Sequence, residues 1–420
     1  MARIRDKSKR ARIWSVVFTA VVLGTIVSAT LFHIPPDWPL GGAEESLKTT
    51  PLSAKTWFDG SFAKDAEQWM LRRFGLRGFA IRLANQIGYS VFGHLPESRG
   101  TAIFQGKEGW LFESYYRSFY EKPTKADGEQ IAKMARDLAV IQNYLLEKGT
   151  ELVVVIAPSK LEVYSEYLPD GIEKTASRLS ARDQVLEALR TEGVNHVDGR
   201  SLFLSWKKEP ETPLLFPEYG IHWNAYGAQR ILDEIWKTIG SPAPLPQVVG
   251  YKKVFPFGTD TDLLLLLNLP FYQGLPPRVP YPVLSDFPTP ERPLSVLLVG
   301  DSFSHQLVDA IGRTGCFSKA RHLYYFRTIF DYTWKPGEHP KTSTIGDHRT
   351  GRVEDHESVD WADVLPRYDV VILEFNEIYS RKAIWGFADF VRKDLPSSAA
   401  SESTDQDAAK TSNDKPPSKP

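Results

Sequence analysis

A serine hydroxyl becomes a useful nucleophile when a neighbouring base takes its proton, and two short segments of this 420-residue chain supply that pair. Val299-Gly300-Asp301-Ser302-Phe303-Ser304 directly follows the apolar run Ser295 to Val299. Gly, Asp and Ser after a buried strand turn the backbone sharply and lift the Ser302 hydroxyl above a sheet. Amides near the next helix start then stand ready to donate to a developing oxyanion. A helix N-cap is the other reading of the same residues, because caps favour Asp and Ser. Gly220-Ile221-His222-Trp223-Asn224 precedes a helical pattern. On the same sheet edge as Ser302, His222 is its natural general base; by itself it is a structural hydrogen bonder, with Asn224 a helix cap and Trp223 core. Lys160 in Ala157-Pro158-Ser159-Lys160 and Asn376 in Phe375-Asn376-Glu377 end two further strands, as polar pocket groups or as solvated loop residues.

Such loops converge at the carboxyl ends of strands in an open parallel sheet. The unbroken β-branched run Leu152 to Ile156, the short Val194 to Asp198, Ser295 to Val299 and Asp369 to Glu374 read as strands. Between them, Asp127 to Lys148 carries Ile131, Met134, Leu138, Ile141 and Leu145 at three- and four-residue steps, one face of a helix. Ser180 to Glu192 and Ala225 to Ile239 repeat the pattern. Strand and helix alternate, which predicts an α/β fold with a mostly parallel sheet and right-handed crossovers. Ahead of these, Trp69 to Tyr89 reads as helical, and Thr101 to Phe112, with Gly106 and Gly109, as a hairpin. The 251–292 region, rich in proline, reads as a short helix followed by an extended crossing.

Composition narrows the function classes. A chain 42% hydrophobic and 25% charged builds a core, and a net charge of −1 leaves no basic surface for a nucleic acid. Its single cysteine, Cys316, excludes an intrachain disulfide and argues against a Cys-ligated zinc. No metal or cofactor is expected. Residues 1–12 carry Arg3, Arg5, Lys7, Lys9, Arg10 and Arg12 and read as a cytoplasmic segment. Residues 13–33 are apolar over the roughly 20 residues that span a bilayer. The positive-inside bias sends the rest of the chain out of the cytoplasm, as a single-pass protein of the inner membrane with a periplasmic domain. A cleaved signal peptide ending at Val27-Ser28-Ala29 is the rival. Residues 34–54 read as a linker and 55–394 as the domain, while 395–420, almost devoid of large apolar side chains, read as a disordered tail.

Taken together, Phe58-Asp59-Gly60, Gly106 to Phe112, Ala157 to Lys160 with Tyr164 to Pro169, His222 to Ala228, Val299 to Ser304 and Leu373 to Glu377 resemble the exported alginate O-acetyltransferase family. The resemblance runs from about residue 55 to 390 and implies an SGNH-hydrolase-like three-layer fold preceded by one transmembrane helix. It further implies a Ser-His-Asp triad that moves acetyl groups onto hydroxyls of an extracellular polysaccharide, beside a membrane-bound O-acyltransferase that delivers them. Ser302 is then the nucleophile and His222 its base, with Asn376, Lys160 and Trp223 as oxyanion or substrate contacts. The family motif reads Asp-any-His-Trp, whereas this chain has Gly220 at the Asp position. Glu218, Asp198 and Glu374 are the candidate substitutes, Glu218 being nearest in sequence. A non-catalytic glycan-binding or assembly protein, a carbohydrate acetylesterase and a lipid-directed hydrolase are the alternatives.

Overall fold

The computed structural model describes residues 14–20, 23–24, 27, 40–42, 50–73, 77–96, 102–174, 180–240, 244–335, 349–352 and 356–396. These form two compact units, one from Met1–Phe104 with Leu263–Leu275, the other from Gln105–Asp262 with Pro276–Pro420. In the first unit, helices α1 (Ser61–Arg73) and α2 (Arg77–Phe92) replace the single helix expected over 69–89. Helix α2 holds the 263–275 segment: Asn85 Nδ2 donates to Leu267 O at 3.0 Å, Phe271 N–H donates to Gln86 Oε1 at 2.9 Å, and the Tyr89 and Tyr272 rings lie 5.4 Å apart. Residues 14–20, 23–24 and 27 are helical, and the rest of 13–33 lies outside the described residues. Among the described residues, no helix is long and apolar enough to cross a membrane.

The strands in chain order are β1 (Ile103–Gln105), β2 (Leu111–Glu113), β3 (Glu151–Ala157), β4 (His196–Asp198), β5 (Val248–Val254), β6 (Val279–Leu284), β7 (Leu294–Gly300), β8 (Phe317–Tyr324), β9 (Thr328–Thr333), β10 (Arg349–Arg352) and β11 (Val370–Asn376). Seven of them make one sheet in the order β10-β9-β8-β7-β11-β3-β4. From β8 to β4 the neighbours are parallel. Beyond β8 the pairing turns antiparallel. The sheet is therefore mixed, which corrects the expectation of a mostly parallel one. Its cause is local: Tyr325 and Phe326 adopt φ of 51° and 55°, and this left-handed pair reverses the chain into β9 without a crossover helix. Neither residue advertises a turn in sequence. In the illegible stretch, β5 and β6, which come before and after the helix Asp262–Leu267 in sequence, form an antiparallel pair.

Among the further helices are α3 (Gly128–Glu147), α4 (Ala181–Thr191), α5 (Ala225–Ile239), α6 (Ser304–Arg313) and α7 (Phe387–Asp394). Side chains alternate across the sheet with period two. Leu152, Val154 and Ile156, with Leu297, Val299, Val371, Leu373 and Phe375, share one core with the apolar stripe of α3 and with α4 and α7. Leu395, at the start of the expected tail, is buried in this core, while 397–420 lie outside the described residues. Helices α5 and α6 contact the strands from the remaining side, which completes three layers. Caps set the boundaries: Asp127, Ser180 and Asn224 each accept amides of the turn they precede.

Candidate active site

The loop after β7 is held from below. Gly300 is required there, because a Cβ would lie 2.5 Å from Ser304 Cβ and 2.8 Å from Glu374 Oε2. Asp301 is wholly buried. Its Oδ1 accepts the Phe303 amide at 2.9 Å and its Oδ2 accepts the Asn376 amide at 2.7 Å. Burial raises the Asp301 pKa, an effect these amides oppose. With Asp301 bracing the turn, the Ser302 side chain is free of any capping duty and stays partly exposed. Ser304 Oγ donates to Asp301 O and meets Nε2 of the buried His322 at 2.7 Å.

The second loop brings the imidazole. Asn224 caps α5 by accepting Gly227 N–H at 2.9 Å, and its Nδ2 donates to Leu214 O at 2.6 Å. Trp223, fully buried, donates Nε1–H to Phe303 O at 3.1 Å and so ties this loop to the serine loop. The His222 ring packs on Phe303 with centroids 4.7 Å apart. His222 Nε2 then lies 2.7 Å from Ser302 Oγ, across 80 residues of chain.

The carboxylate that meets the imidazole is that of Asp262. Its Oδ2 is 2.6 Å from His222 Nδ1, and its Oδ1 accepts the Ile221 amide at 2.9 Å. With Nδ1–H donating to the carboxylate, Nε2 is left to accept the serine proton, the arrangement a general base needs. This corrects the choice of Glu218, and neither Asp198 nor Glu374 serves instead. Asp198 caps the helix Gly199–Trp206 and pairs with Arg182. Glu374 is wholly buried below the loop, where its Oε2 accepts the Asp301 amide at 3.1 Å, and burial lifts its pKa well above the ordinary carboxylate value. Glu218 contributes its backbone carbonyl to Lys160.

Gly220 leaves room for the segment that carries Asp262. A Cβ built there would sit 2.3 Å from Thr259 O and 2.9 Å from Asp260 C. The 258–262 segment occupies the space a side chain at 220 would use, and it brings Asp262 to the imidazole. Sequence reasoning missed Asp262 because it lies 40 residues from His222, in the region without a legible pattern.

The remaining expected contacts are structural. Lys160 is 1% exposed and donates from Nζ to the carbonyls of Leu111, Glu218 and Gly220 at 2.9, 2.7 and 2.9 Å, with its ammonium 4.9 Å from the Trp110 ring centroid. Burial pulls its pKa well down, whereas three acceptors that cannot donate favour keeping all three hydrogens. Lys160→Met would remove this donor from the carbonyls of Leu111 and Gly220, while Glu218 O keeps the Leu111 amide, and should lower unfolding free energy by about 3 kcal/mol in chemical denaturation. Asn376 spends Nδ2 on Pro158 O at 3.1 Å and Oδ1 on the Ile378 amide at 3.2 Å. Trp110, Trp223 and Tyr226 are buried and form no exposed stacking platform.

Asp260 shares the segment that carries Asp262. Burial, then the charges of Asp262 and Asp309, raise its pKa to about 7, and its Oδ2 accepts the Phe257 amide at 3.1 Å. A carboxyl with a raised folded-state pKa loses stabilising power as pH climbs from its ordinary value of 3.8 through about 7. Asp260→Asn is accordingly expected to raise the melting temperature more at pH 8 than at pH 5; an equal shift at both would contradict this.

Among the described residues, no group of three or more His, Cys, Asp or Glu could hold a metal ion. In comparisons with known proteins, residues 103–254 match the family of the SGNH hydrolase-like domain of acetyltransferase AlgX. The chain is 25% identical over 287 residues to "Probable alginate O-acetylase AlgJ" of Pseudomonas putida, covering 64% of this chain and 70% of that protein. It is 26% identical over 249 residues to the Pseudomonas aeruginosa protein of the same name, spanning 57% of this chain and 60% of the relative. Of solved structures, the O-acetyltransferase domain of P. putida AlgJ aligns with a TM-score of 0.40 at 18% identity, over 69% of this chain and 99% of that one. For P. aeruginosa AlgX the TM-score is 0.37 at 20% identity, over 68% and 66%. Residues 103–254 are thus similar to the SGNH hydrolase-like domain of acetyltransferase AlgX, in line with the resemblance of the motifs.

Proposed function

We propose that this protein is a membrane-anchored, exported O-acetyltransferase that moves acetyl groups onto hydroxyls of an acidic polysaccharide such as alginate through an acyl-enzyme on Ser302. The reading rests above all on one observation, the chain of short contacts from Ser302 Oγ to His222 Nε2 and from His222 Nδ1 to Asp262 Oδ2. In the first step Ser302 Oγ gives its proton to His222 Nε2 and attacks the acetyl carbonyl carbon. Backbone amides at the Ser302 turn stabilise the oxyanion, and Asp262 stabilises the imidazolium. As the tetrahedral intermediate collapses, the bond to the donor breaks and His222 returns the proton to the leaving group. The same imidazole then deprotonates a sugar hydroxyl, whose oxygen attacks the acetyl-serine; the bond from the acetyl carbon to Ser302 Oγ breaks, His222 returns the proton to Oγ, and the sugar leaves as the ester.

The names of the AlgJ relatives support alginate as the polysaccharide. The apolar run 13–33 after six cations supports an inner-membrane anchor and a periplasmic domain, and a membrane-bound O-acyltransferase is the partner that would supply acetyl groups. A non-catalytic role drew its motive from Gly220, and Asp262 removes that motive. An acetylesterase would use the same three residues, so the test must read direction. In cells carrying Ser302→Ala, the acetyl content of the polysaccharide is expected to fall; a rise would establish the esterase, and no change would defeat both.

A further inference from the structure

We propose that Gln306 is a positioning residue for the reaction: through Thr259 it fixes the segment that carries Asp262 against the helix that follows the nucleophile. The inference rests on the acyl transfer proposed above and concerns what holds its carboxylate in place.

The three site residues are not equally supported by the fold. Ser302 follows the end of β7 by two residues, and His222 precedes the start of α5 by three. Asp262 instead follows the single 3₁₀ turn Gly258–Thr261 and opens a helix of only six residues, Asp262–Leu267. Such a turn has poorer hydrogen-bond geometry than an α-helix and little stiffness of its own. Its bonds near Asp260 are local, since the Asp260 amide donates to Phe257 O and Asp260 Oδ2 accepts the Phe257 amide, both at 3.1 Å. Directly after Asp262 the chain passes into the first unit, at Leu263.

A side chain from α6 reaches this turn. Gln306, four residues after Ser302, donates from Nε2 to Thr259 Oγ1 at 2.6 Å, three residues before Asp262. Two other bonds link the loops of the site. Trp223 Nε1–H ties the histidine loop to Phe303 O of the serine loop, and the Ile221 amide ties the histidine loop to Asp262 Oδ1. Two links in series leave a hinge, whereas a third link between the free ends closes a triangle and removes it. The bond from Gln306 to Thr259 is that third side.

Gln306 is also costly where it stands. It is 3% exposed, beside the buried Leu307, Val308, Ala310 and Ile311 of α6, and its Oε1 has no hydrogen-bond partner among the described residues. A buried amide satisfied at one end only destabilises a fold, and an apolar side chain of similar size would not. The fold gains nothing from the amide that such a side chain lacks, except the grip on Thr259.

Steady-state hydrolysis of para-nitrophenyl acetate by the full-length protein, normalised to folded protein, tests the role. Gln306→Leu is expected to lower kcat about thirtyfold with little change in KM, because a small misplacement of a reacting group costs rate and not ground-state binding. Thr259→Val breaks the same bond without altering α6 and should give a similar loss, and the double variant should lose no more than either alone. Thr259→Ser keeps the hydroxyl and should retain most of the turnover. In an Asp262→Asn background, Gln306→Leu or Thr259→Val should cost less than about threefold further, since a residue that acts through Asp262 has nothing left to position. A residue that only stabilises the fold would cost the same factor in both backgrounds. Equal losses in both backgrounds, or both single variants within about threefold of wild type, would overturn the proposal. Should Gln306→Leu fail to fold, Thr259→Val in the two backgrounds decides alone. The reading of Asp262 fails by a different result: wild-type turnover in Asp262→Asn removes the acid and its positioning together. A severe loss in Asp262→Asn with silent changes at Gln306 and Thr259 removes the positioning role and leaves the acid.

Discussion

Asp262→Asn is expected to lower turnover about 10⁴-fold while leaving the protein folded. The amide is nearly the same size and keeps an oxygen for the Ile221 N–H, which Asp262 Oδ1 accepts at 2.9 Å. What it removes is the negative charge 2.6 Å from His222 Nδ1, and with it the preference for the tautomer that leaves Nε2 free to accept. The imidazolium formed during the attack also loses its counter-ion. The rate of para-nitrophenyl acetate hydrolysis, normalised to folded protein, measures the effect. Turnover within tenfold of wild type would make Asp262 a loop-holding residue and nothing more. Restoring the family's acid by Gly220→Asp in the Asp262→Asn background should not rescue activity, since the new Cβ would press 2.3 Å from Thr259 O and 2.8 Å from Pro217 Cγ. Recovery in that double variant would show that the 258–262 segment yields easily and that the acid can sit on either side of the ring.

Ser302→Ala is expected to produce the larger loss, about 10⁶-fold, because removal of a nucleophile leaves only binding and oxyanion stabilisation. The substitution is structurally mild. Asp301 and Ser304 make the loop's internal bonds, while the Ser302 side chain contributes its contact with His222. The melting temperature should therefore stay close to that of the wild type. Mass spectrometry of protein incubated with the ester should find acetyl on the peptide containing Ser302 in the wild type and none in the variant. Acetyl retained elsewhere, with turnover preserved, would remove the acyl-enzyme from the mechanism.

The wild-type pair of loops was readable in one dimension for a physical reason. A strand buried on both faces must be continuously apolar, and the residues that end it must turn the backbone, so Val299-Gly300-Asp301-Ser302 marks its own place at the sheet edge. Helix α5 was legible end to end, because its amphipathic stripe begins at a capping Asn224 and stops at Gly240, which is in the left-handed region. By contrast, Lys160 and Trp223 look like site residues in sequence, and only their surroundings reveal otherwise. An ammonium among three carbonyls and an indole donating to Phe303 O are consequences of packing, which residue type does not encode. The antiparallel β8–β9 turn was hidden similarly, since Tyr325 and Phe326 take left-handed conformations without a glycine to announce them.

Local periodicity and turn chemistry thus determined the α/β class, the strand ends and the loops that carry Ser302 and His222, because each of those depends on neighbours a few residues apart. The third member of the site was decided in three dimensions. Asp262 reaches His222 only because the chain returns past Gly220 through a space that the missing side chain leaves open. A side chain at 220 and the 258–262 segment cannot share one volume, and that exclusion is written in the coordinates of two distant segments.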